Sequence, residues 1–119
     1  MISQLESPEG VLAFRAVGKV EKRDYDDVLE PAVEAMVAVR GEVRIVYVLG
    51  DEFDGYSMAA GWEDTKLGFG HRSSWKRCAI VTDRDWVRHG VGMFRWMFPA
   101  EMKVFATAEL RDAIDWAAS

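Results

Sequence analysis

Hydrophobic and polar positions along this chain follow two periods, and their alternation sets out a series of elements. Ile2 to Leu5 reads as extended, and Val11 to Val17 as a second strand. Between them Ser7-Pro8-Glu9-Gly10 makes a turn, because proline presets φ and glycine tolerates positive φ. The pair predicts an antiparallel hairpin. From 22 to 40 the period becomes helical. Tyr25, Val28, Leu29, Ala32, Val33, Ala35, Met36 and Val39 form one face, and Arg23, Asp26, Asp27, Glu30 and Glu34 the other. Pro31 interrupts this helix, frees the carbonyl of Asp27 and predicts a kink; Gly41 ends it.

Val43 to Leu49 is a strand with five consecutive apolar residues, the pattern of a central parallel strand buried on both faces. Gly50 to Gly55 reads as an acid-rich loop, followed by a second helix from about Ser57 to Gly70. Arg77 to Val81 is another buried strand, and Asp85 to Phe98 a third helix stopped by Pro99. Met102 to Ala106 reads as an edge strand, after which Thr107 caps a last helix that reaches Trp116. Strands alternating with helices imply an α/β fold with a mixed, mostly parallel five-stranded sheet and about four helices, opened by the antiparallel hairpin.

Composition narrows the function classes. A chain of 119 residues, half of them hydrophobic, suits a single domain over 1–119 with one core. A net charge of -5 argues against nucleic acid, which demands a basic footprint, and against anionic lipid headgroups. The lone cysteine, Cys78, lies among Ala79, Ile80 and Val81 and reads as a small core hydrophobe. No apolar stretch approaches the roughly 20 residues that cross a bilayer, so no transmembrane segment is expected. Met1-Ile2-Ser3-Gln4-Leu5-Glu6 lacks the basic and apolar runs of a signal peptide, and the expected location is cytoplasmic.

Several segments together resemble the SpoIIAA-like group of STAS domains, small bacterial proteins related in fold to anti-sigma-factor antagonists. They are Ala16-Val17-Gly18-Lys19-Val20, Asp24-Tyr25 with Val28-Leu29-Glu30-Pro31-Ala32, and Leu49-Gly50-Asp51-Glu52-Phe53-Asp54-Gly55-Tyr56. Further segments are Gly61-Trp62-Glu63-Asp64 with Lys66-Leu67-Gly68, Ala79-Ile80-Val81-Thr82-Asp83, and Phe98-Pro99 with Val104-Phe105. The resemblance covers nearly the whole chain. It implies a STAS-like or lipid-transfer-like sheet, no assigned enzymatic activity, and action through protein contacts or an apolar ligand. The antagonist branch is switched by phosphorylation of a serine at the start of the second helix. Ser57 stands near that place, but without the Asp-Ser-Ser-Gly type motif around it. A helix N-cap is the plainer role for Ser57.

No catalytic machinery is legible. Gly68-x-Gly70 and Gly90-x-Gly92 lie inside helical patterns, not in the strand-turn-helix setting of a phosphate loop. Ser57, Ser73 and Ser74 have no glycine frame of a nucleophile elbow, and His71 and His89 read as polar helix-face residues. Asp51, Glu52, Asp54, Asp83 and Asp85 fall on two loops that follow parallel strands, where open α/β sheets bind ligands. Capping and helix-dipole roles explain these acids more simply than a hard cation does, so neither a metal nor a cofactor is expected.

The aromatic content is more telling. On a helical wheel Trp86, Val87, Val91, Met93, Phe94, Met97 and Phe98 span roughly 160°, taking 100° per residue, which exceeds one sheet-packing stripe. Gly90 and Gly92 leave gaps beside these rings. In the second helix Met58, Trp62, Thr65 and Phe69 share a face. Core packing accounts for most of this surface, and the excess is available for binding. The ligand-binding or interface candidates are therefore Met58, Trp62, Phe69, Trp86, Met93, Phe94 and Met97, with Asp51, Asp54, Ser57 and Asp83 on the loops. Three functions fit this pattern. The first is a non-enzymatic binding or regulatory module with a protein partner or a small apolar ligand. The second is a homodimer seamed along the third helix. The least favoured is a metal-dependent enzyme built on the acidic loops.

Overall fold

A computed structural model describes residues 1–56, 74–94 and 101–119. Its strands are β1 (Ile2–Gln4), β2 (Leu12–Ala16), β3 (Gly18–Val20), β4 (Val43–Val48), β5 (Phe53–Tyr56), β6 (Trp75–Val81) and β7 (Glu101–Phe105). Five of them form a mixed sheet in the order β1-β2-β4-β6-β7. The expected opening hairpin is present: β1 runs antiparallel to β2, with Ile2 opposite Ala16 and Gln4 opposite Phe14. The remaining neighbours are parallel, with Ile45 opposite Cys78 and Cys78 opposite Met102.

The run Val43 to Leu49 is apolar because both faces of β4 are covered. Val43, Ile45, Tyr47 and Leu49 join one core with Phe14, Tyr25, Leu29, Val33, Cys78, Ile80 and Val87. Val46 and Val48 join a second core with Val11, Ala13, Ala79, Val81, Phe105, Ala113 and Ala117. The period of two sends alternate residues to opposite layers, so β2, β4 and β6 each feed both. Cys78 is buried, as its neighbours predict.

The first helical region differs from its expected form. It runs as α1 (Lys22–Asp24), a π-helical segment Tyr25–Leu29, and α2 (Glu30–Arg40). The N–H of Glu30 bonds the carbonyl of Tyr25, five residues back. The turn just before Pro31 is thus widened, and Pro31 stands in the first turn of α2, where the lack of an N–H is tolerated. The extra residue in that turn also rephases the apolar face. Val33 is fully buried and Met36 and Val37 pack on the core, whereas Ala35 is exposed and Val39 is 83% exposed. The expected placement of Ala35 and Val39 on the inner face is therefore corrected. Gly41 ends the helix as predicted, at φ 73°, with its N–H on the carbonyl of Val37 at 2.9 Å.

Two further expectations change. The acid-rich segment 50–55 is not all loop: Phe53–Tyr56 forms β5, which pairs in parallel with β3 as a second, two-stranded sheet. The N–H of Gly18 bonds the carbonyl of Glu52 at 2.6 Å and ties this small sheet to the loop. The last helix, α4 (Leu110–Ala118), is entered through a 3-10 turn at Thr107–Glu109. Thr107 does not cap it. The Glu109 carboxylate accepts the N–H of Ala106 at 2.8 Å, and the Thr107 hydroxyl turns instead to Asp83. The third helix is α3 (Asp85–Phe94) over the described residues. The predicted second helix lies outside them. Among the described residues no helix is long and apolar enough to cross a membrane.

Candidate functional site

The carboxyl ends of β4, β6 and β7 deliver three connections to one end of the sheet: Leu49 to Glu52, Thr82 to Arg84, and Ala106 with Thr107. Loops at this end of a parallel sheet are free to vary while the strands below hold them in register. The anchor is Thr82, which is fully buried. Its N–H bonds the carbonyl of Phe105 at 2.8 Å, and its hydroxyl accepts the N–H of Arg84 at 3.1 Å. Its carbonyl accepts the Arg88 guanidinium at 3.1 Å. One buried threonine therefore links β6 to β7 and turns the chain into α3.

The two acidic loops of the sequence do meet, through a side chain of one and the backbone of the other. Arg84 Nη2 donates to the carbonyl of Asp51 at 2.5 Å. Asp83 faces the third loop: its Oδ1 accepts the N–H of Thr107 at 3.0 Å and its Oδ2 accepts the Thr107 hydroxyl. The hydroxyl bond, and after it the backbone N–H, hold the Asp83 carboxyl below the usual carboxylate range; a desolvation effect opposes them, and the charge of Arg88 adds to them. Asp83 is thus a latch between β6 and β7. Asp51, Glu52, Asp54 and Asp85 are exposed. Among the described residues no three of His, Cys, Asp or Glu come together as a metal-holding group.

Trp86 is the prominent apolar feature of this end. It lies on the first turn of α3 and is 55% exposed, while its neighbour Val87 is buried against the sheet. The indole lies on the ring of Phe53, with centroids 5.8 Å apart and planes 18° from parallel. Phe53 itself is fully buried, so the small sheet of β3 and β5 supplies a fixed floor beneath the exposed ring. Farther along α3, a Cβ added at Gly90 or Gly92 would meet no atom of a described residue within 4 Å, and His89 is exposed as its helix-face reading predicts.

Of the sequence candidates, the structure thus brings Trp86, Asp51, Asp54 and Asp83 to one end of the sheet. Met58, Trp62, Phe69, Met97 and Ser57 lie outside the described residues. Met93 and Phe94 lie on α3, and their side chains are also outside the description. Sequence reasoning missed Phe53, Arg84, Arg88 and Thr107. Phe53 left one signal, as an aromatic residue set between acids in Asp51-Glu52-Phe53-Asp54. The others show no periodicity that separates them from ordinary turn and helix residues.

The opposite end of the sheet carries a polar groove of about 500 Å³, lined by Glu9, Val39, Arg40, Glu42, Arg44 and Ala118 among others. Its charges are matched internally. Arg40 pairs with Glu9 at 3.1 Å and Arg44 with Glu42 at 2.7 Å, the latter bond holding the Glu42 carboxyl below its ordinary range.

Comparison with known proteins places this arrangement. A family model described as SpoIIAA-like matches residues 11–118. The chain is also similar to an uncharacterized protein of the DUF3478 family from Shewanella loihica PV-4, whose crystal structure has a SpoIIAA-like fold. The two share 34% identity and a TM-score of 0.76, over 98% of this chain and 92% of that one. Among curated proteins nothing matches the chain.

Proposed function

Since this chain belongs to the SpoIIAA-like family, we propose that it is a non-enzymatic binding or regulatory module that works through protein contact at the face around Trp86. One observation carries the reading: an indole more than half exposed, stacked on a fully buried phenylalanine at the carboxyl end of a parallel sheet. An aromatic side chain buries on the order of 150–250 Å² when covered, so leaving half of it in water forgoes about 2 kcal/mol. A partner recovers that energy on docking, and tryptophan is enriched among the residues that dominate interfaces. Phe53 beneath Trp86 is fully buried, so its side chain is already ordered before binding and the ordering cost falls.

Site-specific photo-crosslinking in the native host tests this. A benzophenone amino acid replaces His89, one turn along α3 from Trp86, and in a control replaces Arg111, exposed on α4. The expected result is a discrete protein adduct from position 89 that disappears with Trp86→Ala. An adduct of twice the chain's mass identifies the partner as a second copy, the homodimer alternative. No adduct, or equal adducts from both positions, ends the reading. Purified protein that yields no adduct but retains a lipid-like molecule in native mass spectrometry replaces partner contact with ligand binding.

A further inference from the structure

Trp86 differs from the other described tryptophan whose cation contact is resolved. The Arg77 guanidinium lies over the Trp116 ring, 4.9 Å from its centroid, and Lys103 likewise lies over Phe105 at 5.1 Å. No described cation lies over Trp86. Trp86 stacks on Phe53, nearly parallel, and is 55% exposed. The two arginines nearest in sequence are engaged elsewhere: Arg84 on the Asp51 carbonyl and Arg88 on the Thr82 carbonyl. Asp85 is the chain neighbour of Trp86, and Glu52 and Asp54 are the chain neighbours of Phe53. Arg84, two residues before Trp86, ties the backbone of Asp51 to the same end of the sheet. All four carboxylates are exposed, and none is in an ion pair with a described residue.

We infer that this corner is a seat for a cationic side chain, and that the partner docks a basic, arginine-bearing segment on Trp86. The inference rests on the docking reading above and adds the partner's chemistry. The π-face of an indole attracts a cation, and tryptophan does so best among the aromatic residues. Guanidinium is planar and weakly hydrated, so it can extend the Phe53–Trp86 stack as a third layer while its edges donate to carboxylates. The segments 51–54 and 83–88 that carry Phe53 and Trp86 hold five acids, Asp51, Glu52, Asp54, Asp83 and Asp85, against Arg84 and Arg88. This charge favours a basic partner and disfavours an acidic peptide or an anionic bilayer.

The test is a titration of the full chain, ¹⁵N-labelled, with hexa-arginine. Trp86→Phe assigns the indole N–H signal of Trp86 and keeps a ring on the Phe53 floor. Hexa-arginine is expected to shift that signal, and Trp86→Ala to weaken binding at least tenfold. The combined Glu52→Gln, Asp54→Asn and Asp85→Asn variant should weaken it similarly. The control variant Asp26→Asn with Asp27→Asn, which removes two exposed acids from the π-helical segment, should leave the affinity within twofold. Binding that survives Trp86→Ala, or falls equally in the control variant, reflects the chain's net charge and overturns the inference. So does a Trp86 shift produced by hexaglutamate or by anionic vesicles. If position 89 yields a Trp86-dependent adduct but hexa-arginine leaves the Trp86 signal unmoved, docking stands and the cation chemistry falls. If hexa-arginine binds as expected and no adduct forms, the seat stands and the cellular docking reading falls.

Discussion

Asp83 shows how much one side chain in a turn can hold. It joins the loop after β6 to the 3-10 turn after β7 by two hydrogen bonds from Thr107. Because these bonds favour the carboxylate, its carboxyl titrates lower in the folded protein than in the unfolded chain, where aspartate titrates near about 3.9. The contribution to stability is therefore complete at neutral pH. It is lost as pH falls through the depressed folded value. Asp83→Ala should destabilise the protein most at neutral pH, and the gap to the wild type should close in acid. Urea unfolding at a series of pH values between neutrality and about 3 measures this; a gap that widens toward acid contradicts it. From sequence, Asp83 is legible as a turn acid after a strand. Its partner is not, since Thr107 lies 24 positions away and itself carries the local signature of a helix cap.

Among the elements, α4 depends on groups from the strands it covers. Its last carbonyls have no partner within the helix. Arg44 on β4 donates to the carbonyls of Ala117 at 2.8 Å and Ser119 at 2.7 Å. Arg77 on β6 donates to the carbonyl of Trp116 at 2.7 Å while its guanidinium covers the indole. Positive charge at a helix C-terminus also interacts favourably with the negative end of the helix dipole. Arg77→Met keeps the apolar stem and removes the bonds. The expected loss is about 1–2 kcal/mol, read as a lower urea midpoint with an unchanged slope. No change in midpoint means that water replaces the guanidinium without cost. The first helix shows the other side of element-level reading. Its apolar period is visible in sequence, but the π-helical segment before Pro31 shifts the phase, so Val39 faces solvent.

At the scale of the whole molecule, the sheet is protected at its centre and open at its sides. β4 and β6 have neighbours on both sides and cores on both faces. β1 and β7 are its edges; β1 is only three residues long, and β7 carries Lys103 outward, features that discourage pairing with another chain. Hydrogen exchange should follow this order. The amides of Val46, Val48, Ala79 and Val81 should exchange only through global unfolding, and those of Ser3 and Lys103 faster. Uniform protection across the five strands would show instead that the edges open only with the whole.

The sequence by itself determined the layers. A strand buried on both faces must be apolar throughout, and a helix on a sheet must be apolar on one stripe, so β4, β6, the opening hairpin and the helices at 22–40 and 85–94 all announce themselves. The SpoIIAA-like resemblance is likewise carried by residues in order along the chain. What only the tertiary structure decided is which exposed groups meet. That Trp86 lies on Phe53 follows from β5 pairing with β3, and this pairing leaves no period in so short a segment. That Asp51 is tied to Arg84, and Asp83 to Thr107, follows from the sheet order, which brings distant loops to one end. Local pattern encodes burial, because burial repeats along an element. A candidate site here is a single convergence of loops, and nothing along the chain repeats to record it.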